Sequence, residues 1–167
     1  MLKILSSICF VLAGMLWGIG KSDMLRRKRD CCAEIQSMLM QISVMIRFRA
    51  LTVYEIVSEL HASGNFVNLH FLDELPEEYE SGTDFHELWA AAVSGDRLIP
   101  DEEKKILLSF GADLGTSDIE GQTASIEASL ENLRELQKRR NEDYQRKGKL
   151  YRSVGMLFGT MAGIMVV

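Results

Sequence analysis

The chain has 167 residues, enough for about one domain, and 26% charged beside 47% hydrophobic residues exclude a disordered chain. Two prolines and 13 glycines exclude collagenous and proline-rich architectures, and three cysteines without metal or disulfide spacing exclude a disulfide-stapled secreted module. The net charge of -5 hides a segregation: residues 21–29 hold five bases and one acid, 73–103 eleven acids and one base, and 138–152 seven bases and two acids.

Residues 4–20 carry no charge, and as a helix they rise about 26 Å, close to the roughly 30 Å of bilayer hydrocarbon. Trp17 suits the headgroup level, and Lys3 and Lys21 mark the boundaries of this expected first membrane span, 1–22. A cleaved signal peptide begins in the same way, but no small-x-small site precedes Lys21 and bases follow the apolar run. At the other end residues 153–167 are uncharged, and Leu150, Tyr151 and a snorkelling Arg152 lengthen them into a second expected span, 150–167. Gly155, Gly159 and Gly163 place a smooth stripe on that helix, which suits close helix packing or is simply glycine as membrane-helix filler.

The basic blocks Arg26 to Arg29 and Lys138 to Lys149 flank the two spans on the same side. The positive-inside rule then puts residues 23–149 in the cytoplasm and both termini across the membrane. Anionic lipid is an expected contact of these bases. Nucleic acid is not, since no aromatic residue is interleaved with Arg26 to Arg29 for stacking on bases.

Between the spans the periodicity is helical throughout, which predicts an all-α bundle of about six helices whose first and last members run on into the membrane. Ile35, Met38, Leu39, Ile42, Met45 and Ile46 extend the first helix to about Phe48. Thr52-Val53-Tyr54-Glu55 is a capping box that starts a second helix ending at Ser63-Gly64. Asn65 is expected to cap a third, short helix through Phe66, Leu69, Phe71 and Leu72, stopped by Pro76. Asp84 precedes a fourth helix with Leu88, Trp89, Ala92 and Val93, closed by Gly95. Pro100 and three acids open a fifth, carrying Ile106, Leu107, Phe110 and Leu114, with Gly115 past its end. Ser117-Asp118-Ile119-Glu120 reads as a second capping box, and Ile119, Ile126, Leu130 and Leu133 as the core-facing stripe of the last helix. Nothing breaks this helix before the second span.

No catalytic or cofactor-binding constellation is legible. His61, His70 and His86 stand alone without zinc-ligand spacing, and Cys31-Cys32 point to different helix faces, as packing residues or exposed thiols. No phosphate-binding loop or nucleophile elbow is present. The acidic middle is lopsided enough to suggest a docking surface for something basic.

The run from Leu107 to Gln122, Leu-Leu-Ser-Phe-Gly-Ala-Asp-Leu-Gly-Thr-Ser-Asp-Ile-Glu-Gly-Gln, resembles the stage III sporulation protein AB family, as do Trp89, the Lys149-Leu150-Tyr151-Arg152 approach to the membrane and the total length. The resemblance is looser in the first half, where Thr52-Val53-Tyr54-Glu55 lacks the family's proline. It implies a fold similar to the cytoplasmic F domain of type II secretion and type IV pilus platform proteins. It also implies a non-catalytic component of the mother cell–forespore channel apparatus, in the mother-cell membrane around the forespore. The implied partners are the secretion-type ATPase stage III sporulation protein AA and other membrane components, with homo-oligomerisation as a further contact. Asp73, Glu74, Glu77 and Glu78 are the candidate ATPase surface, and Trp89, Phe110, Gly111, Leu114, Gly115 and Ser117 are expected to be structural. Asp118 and Gln122 have two readings, a helix start or a partner contact. The alternative function is a membrane-anchored helical scaffold or regulator of an unrelated membrane complex.

Overall fold

A computed structural model describes residues 2–79, 82–151, 153, 154, 157 and 161, with the side chains of residues 2–11, 14, 15 and 17 left aside. The described residues form five α-helices and no strand: α1 (Leu2–Val44), α2 (Val53–Ser63), α3 (Phe85–Gly95), α4 (Asp101–Asp113) and α5 (Ile119–Asp143). Most of the C-terminal apolar end, including Gly155, Gly159 and Gly163, lies outside the described residues, whereas the N-terminal end is described as part of α1. Among those described, no helix is long and apolar enough to cross a membrane. The chain divides into two compact units, residues 1–30 with 138–167, and residues 31–137.

The second unit holds the core. From α1 it takes Ile35, Met38, Leu39 and Ile42, all fully buried, and it closes over Trp89, Phe110, Ile126 and Leu133 from the later helices. α1 ends in one wide π turn, Met45–Arg49, whose Met45 and Ile46 stay buried, and Ala50 closes it at φ 48°. The capping box at Thr52 forms as the spacing requires: the Thr52 hydroxyl accepts from Glu55 N–H, and the Glu55 carboxylate accepts from Thr52 N–H at 2.7 Å. Gly64 then terminates α2 in the left-handed conformation, φ 61°.

The expected third helix is instead a single 3₁₀ turn, His70–Glu74, and Asn65 does not cap it. The side chains explain why. Leu69, Leu72 and Leu75 recur every three residues and all are buried, which is the eclipsed face of a 3₁₀ helix, and the amides of all three donate to carbonyls three residues back. Asp84, which precedes the expected fourth helix, caps α3, its carboxylate accepting from His86 N–H. Pro100 sits at the start of α4, and Gly115 beyond its end has φ 78°.

Two expectations about α5 are corrected. Its cap is Asp118, which accepts from Gly121 N–H at 2.9 Å, rather than Ser117 in a box with Glu120. Ile119, placed on the core stripe by its spacing, is 45% exposed because it occupies the first turn, whereas Ile126, Leu130 and Leu133 are buried. In the first unit the last helix is not uniform: residues Tyr144–Gly148 form a second π turn. The extra residue rotates the chain beyond it by about 100°. Gly148 is buried there, where a Cβ would lie 3.3 Å from Ser22 Oγ.

Candidate functional site

The acidic stretch does not fold into one solvated face. Asp96 and Glu103 turn inward, at 7% and 0% exposure, and Asp96 acts as a structural clamp. One of its carboxylate oxygens accepts from Phe71 N–H at 3.1 Å and the other from Leu98 N–H at 2.8 Å. Phe71 itself is fully buried and meets the Trp89 ring edge-on at 5.2 Å. The 3₁₀ turn is thus held from below at Phe71 and Leu72, and Asp73 and Glu74 project from it into solvent.

Downstream, His61 of α2 braces the segment. Its Nε2 donates to the Leu72 carbonyl at 2.7 Å and its Nδ1 lies 2.9 Å from Glu77 Oε1, while Ser58 donates to Glu77 Oε2 at 3.1 Å. A ring with an acceptor at each nitrogen is best satisfied as imidazolium. Burial alone would lower the His61 pKa, but the hydrogen bonds to Glu77 and Leu72 and the charges of Glu77 and Asp73 raise it above 6.5. Those bonds from His61 and Ser58 hold the Glu77 carboxyl below its ordinary value. The expected surface therefore separates: Glu77 is a structural partner of α2, and Asp73, Glu74 and Glu78 are its outward charges. Tyr79, 66% exposed, borders them and packs edge-on against Tyr54 at 5.8 Å.

Asp118 and Gln122 belong to a different piece of chain, the connection from α4 to α5. Gln122 Oε1 accepts from Gly115 N–H at 3.3 Å, and its Nε2 donates to the Ser117 carbonyl at 2.8 Å. Together with the Asp118 cap, these bonds stitch the connection closed. Gly121 is the residue that sequence reasoning passed over here, since a Cβ on it would come within 2.8 Å of Ser117 Oγ.

The motif glycines and aromatics share one explanation. Trp89 is 1% exposed, donates from Nε1 to the Leu107 carbonyl at 2.8 Å, and lies over Gly111, where a Cβ would overlap the indole. Phe110 meets the same ring edge-on at 5.6 Å, and His86 Nδ1 donates to the Gly111 carbonyl at 2.8 Å. Gly115 supplies the positive φ and faces Val53. Phe110 and Leu114 are core, so this set, with Ser117, joins α3 to α4 and α4 to α5.

Cys31 and Cys32 are both buried, not surface thiols, and neither is in a disulfide. Burial, with the charges of Glu103, Cys32, Glu34 and Asp96, pushes the Cys31 thiol up to about 12. Among the described residues no group of three or more His, Cys, Asp and Glu side chains is arranged to hold a metal ion.

With the fold in view, comparison with known proteins has one outcome: the family described as stage III sporulation protein AB matches residues 3–167. No curated protein and no solved structure matches. A match over nearly the whole length means that the chain belongs to the stage III sporulation protein AB family and has its role in sporulation.

Proposed function

We propose that this protein is a non-catalytic membrane platform of the mother cell–forespore channel apparatus and couples a cytoplasmic secretion ATPase, stage III sporulation protein AA, to the membrane complex. The protein sits in the mother-cell membrane around the forespore, with spans at 1–22 and 150–167 and the helical domain 23–149 in the mother-cell cytoplasm. Family membership supports the setting, and the charge pattern supports the topology. The family is not known for an enzymatic activity. The likeness to an F domain rests on the resemblance in sequence.

The observation that carries the docking surface is the bracing of residues 70–79. Asp73 and Glu74 stand on a turn fixed by Phe71, Asp96 and His61, and Glu78 follows Glu77, which His61 and Ser58 hold, so a basic partner meets charges on a braced segment. α1 and α5 are the helices whose sequences lead from this domain to the proposed spans.

The test is a pull-down of the ATPase by the full chain in detergent, with Asp73, Glu74 and Glu78 changed to Lys and Glu77 kept for His61. Binding by the parent and its loss in the variant is the expected result. Binding kept by the variant moves the contact elsewhere. Binding by neither, with both folded, removes the coupling role and favours a scaffold of another membrane complex.

A further inference from the structure

Two basic blocks more than a hundred residues apart in sequence lie side by side in the first unit. Gly148 faces Ser22, and the Arg29 guanidinium lies 4.6 Å above the Tyr144 ring, so the two helices run antiparallel there. This pairing places Arg26, Arg27 and Arg29 alongside Arg146 and Lys147, with Lys149 next to the Ser22 level, so the bases line one stretch of the paired helices. Over residues 21–30 and 143–149 there are eight bases against three acids, a net of five positive charges. The acids take up part of this charge: Asp30 lies 3.5 Å from Arg26 and 2.6 Å from Arg29, and Asp143 lies 2.7 Å from Lys147. Of the paired bases Arg26 and Lys147 reach solvent, with 61% and 55% of their side chains exposed, whereas Arg29 is 28% exposed and braces the pair of helices. Arg27, Arg146 and Lys149 are exposed as well.

The position of this collar says what it meets. On one side both helices lead into uncharged sequence, residues 4–20 and 153–167. A ring of exposed guanidinium and ammonium groups where charge ends is at phosphate depth in a bilayer, and guanidinium pairs with phosphate in a bidentate way. The Arg29–Tyr144 stack and the Ser22–Gly148 approach hold the two blocks together, so the charges act as one surface.

We infer that the collar formed by Arg26, Arg27, Arg146, Lys147 and Lys149, braced by the Arg29–Tyr144 stack, is a binding site for the headgroups of anionic phospholipids. The inference rests on the membrane reading above, and the experiment separates the two.

The full chain is reconstituted in phosphatidylcholine vesicles carrying a trace of spin-labelled phosphatidylglycerol or spin-labelled phosphatidylcholine, and the fraction of motionally restricted label is measured. The expected result is a preference for phosphatidylglycerol of about fivefold, the factor carried by roughly one net charge at the surface. It falls towards parity in 1 M salt, where the Debye length is about 3 Å. It also falls towards parity in a variant with Arg27, Arg146 and Lys149 changed to Gln, whose exposed positions leave packing untouched; unchanged circular dichroism verifies this. Parity in the parent, or a preference unaltered in the variant, overturns the site. Loss of the preference on adding inorganic phosphate at constant ionic strength overturns the assignment to lipid. Vesicle flotation reads the other premise. Flotation with phosphatidylcholine alone combined with label parity refutes the collar and keeps the spans. Salt-reversible flotation with phosphatidylglycerol vesicles only supports the collar and refutes the spans, and flotation with neither refutes both.

Discussion

Changing Gly111 to Ala should destabilise the protein although alanine is the better helix former. Gly111 lies inside α4, where the exchange favours the helix by about 1 kcal/mol. Against this, the new methyl would overlap Cδ1 and Nε1 of Trp89 and lie 2.7 Å from its Cγ. Carbon–carbon contacts are comfortable at about 3.5–4.0 Å, so ring or helix must retreat by about 1.5 Å. Trp89 has little room to do so: it is 1% exposed, with Phe71 and Phe110 edge-on against it. Overpacking of this kind costs about 1–3 kcal/mol. Weakening the buried bond from Nε1 to the Leu107 carbonyl adds about 1–2 kcal/mol. The net loss is about 1–4 kcal/mol. Urea unfolding of the full chain in detergent, followed by far-ultraviolet circular dichroism, measures it with or without the tryptophan. The same exchange in a Trp89→Leu background should be far less harmful, because the clashing ring is gone. A Gly111→Ala protein as stable as its parent while Trp89 is present would refute the reasoning.

The His61–Glu77 pair predicts a pH dependence. His61 is raised in the folded state, so its stabilisation is complete below about 6.5 and is lost as pH rises through the higher folded value. Glu77 is lowered, so its share is present above 4.5 and is lost as pH falls through the lower folded value. Thermal unfolding between pH 5 and 9 should show the loss on the alkaline side, and His61→Gln should remove it; an unchanged profile in the variant excludes the pair as its source. Asp96→Ala orphans the buried amide of Phe71 and the partly buried amide of Leu98 and should cost about 2–4 kcal/mol in urea unfolding, with faster hydrogen exchange at both amides. A loss below about 1 kcal/mol would mean that the clamp is not structural.

Much of the helical order was legible in the chain because helix ends are local events. The Thr52 capping box, the Asp84 cap, Gly64 and Gly115 each act on backbone groups within a few residues, and all four stand where spacing places them. The errors arose where local signals tied. Asn65 resembles a cap, yet the period of three in Leu69, Leu72 and Leu75 matches a 3₁₀ turn. Ser117 and Asp118 are both good caps, and only the geometry of the turn chose Asp118. The candidate surface was legible as charge but not as structure, since nothing in a run of acids distinguishes Asp96 and Glu103, which point inward, from Asp73 and Glu74, which point out.

The sequence by itself determined the all-α class, most helix boundaries, the segregation of charge and the family, because composition, period and motif are properties of contiguous residues. Tertiary structure alone decided which acid serves which purpose. Asp96 clamps Phe71 across 25 residues, Glu77 holds His61 across 16, and Gly111 is required by a tryptophan 22 positions earlier. The physical reason is common to all three: burial and hydrogen bonding depend on what the folded chain brings alongside, and no local pattern encodes a neighbour that is distant along the chain.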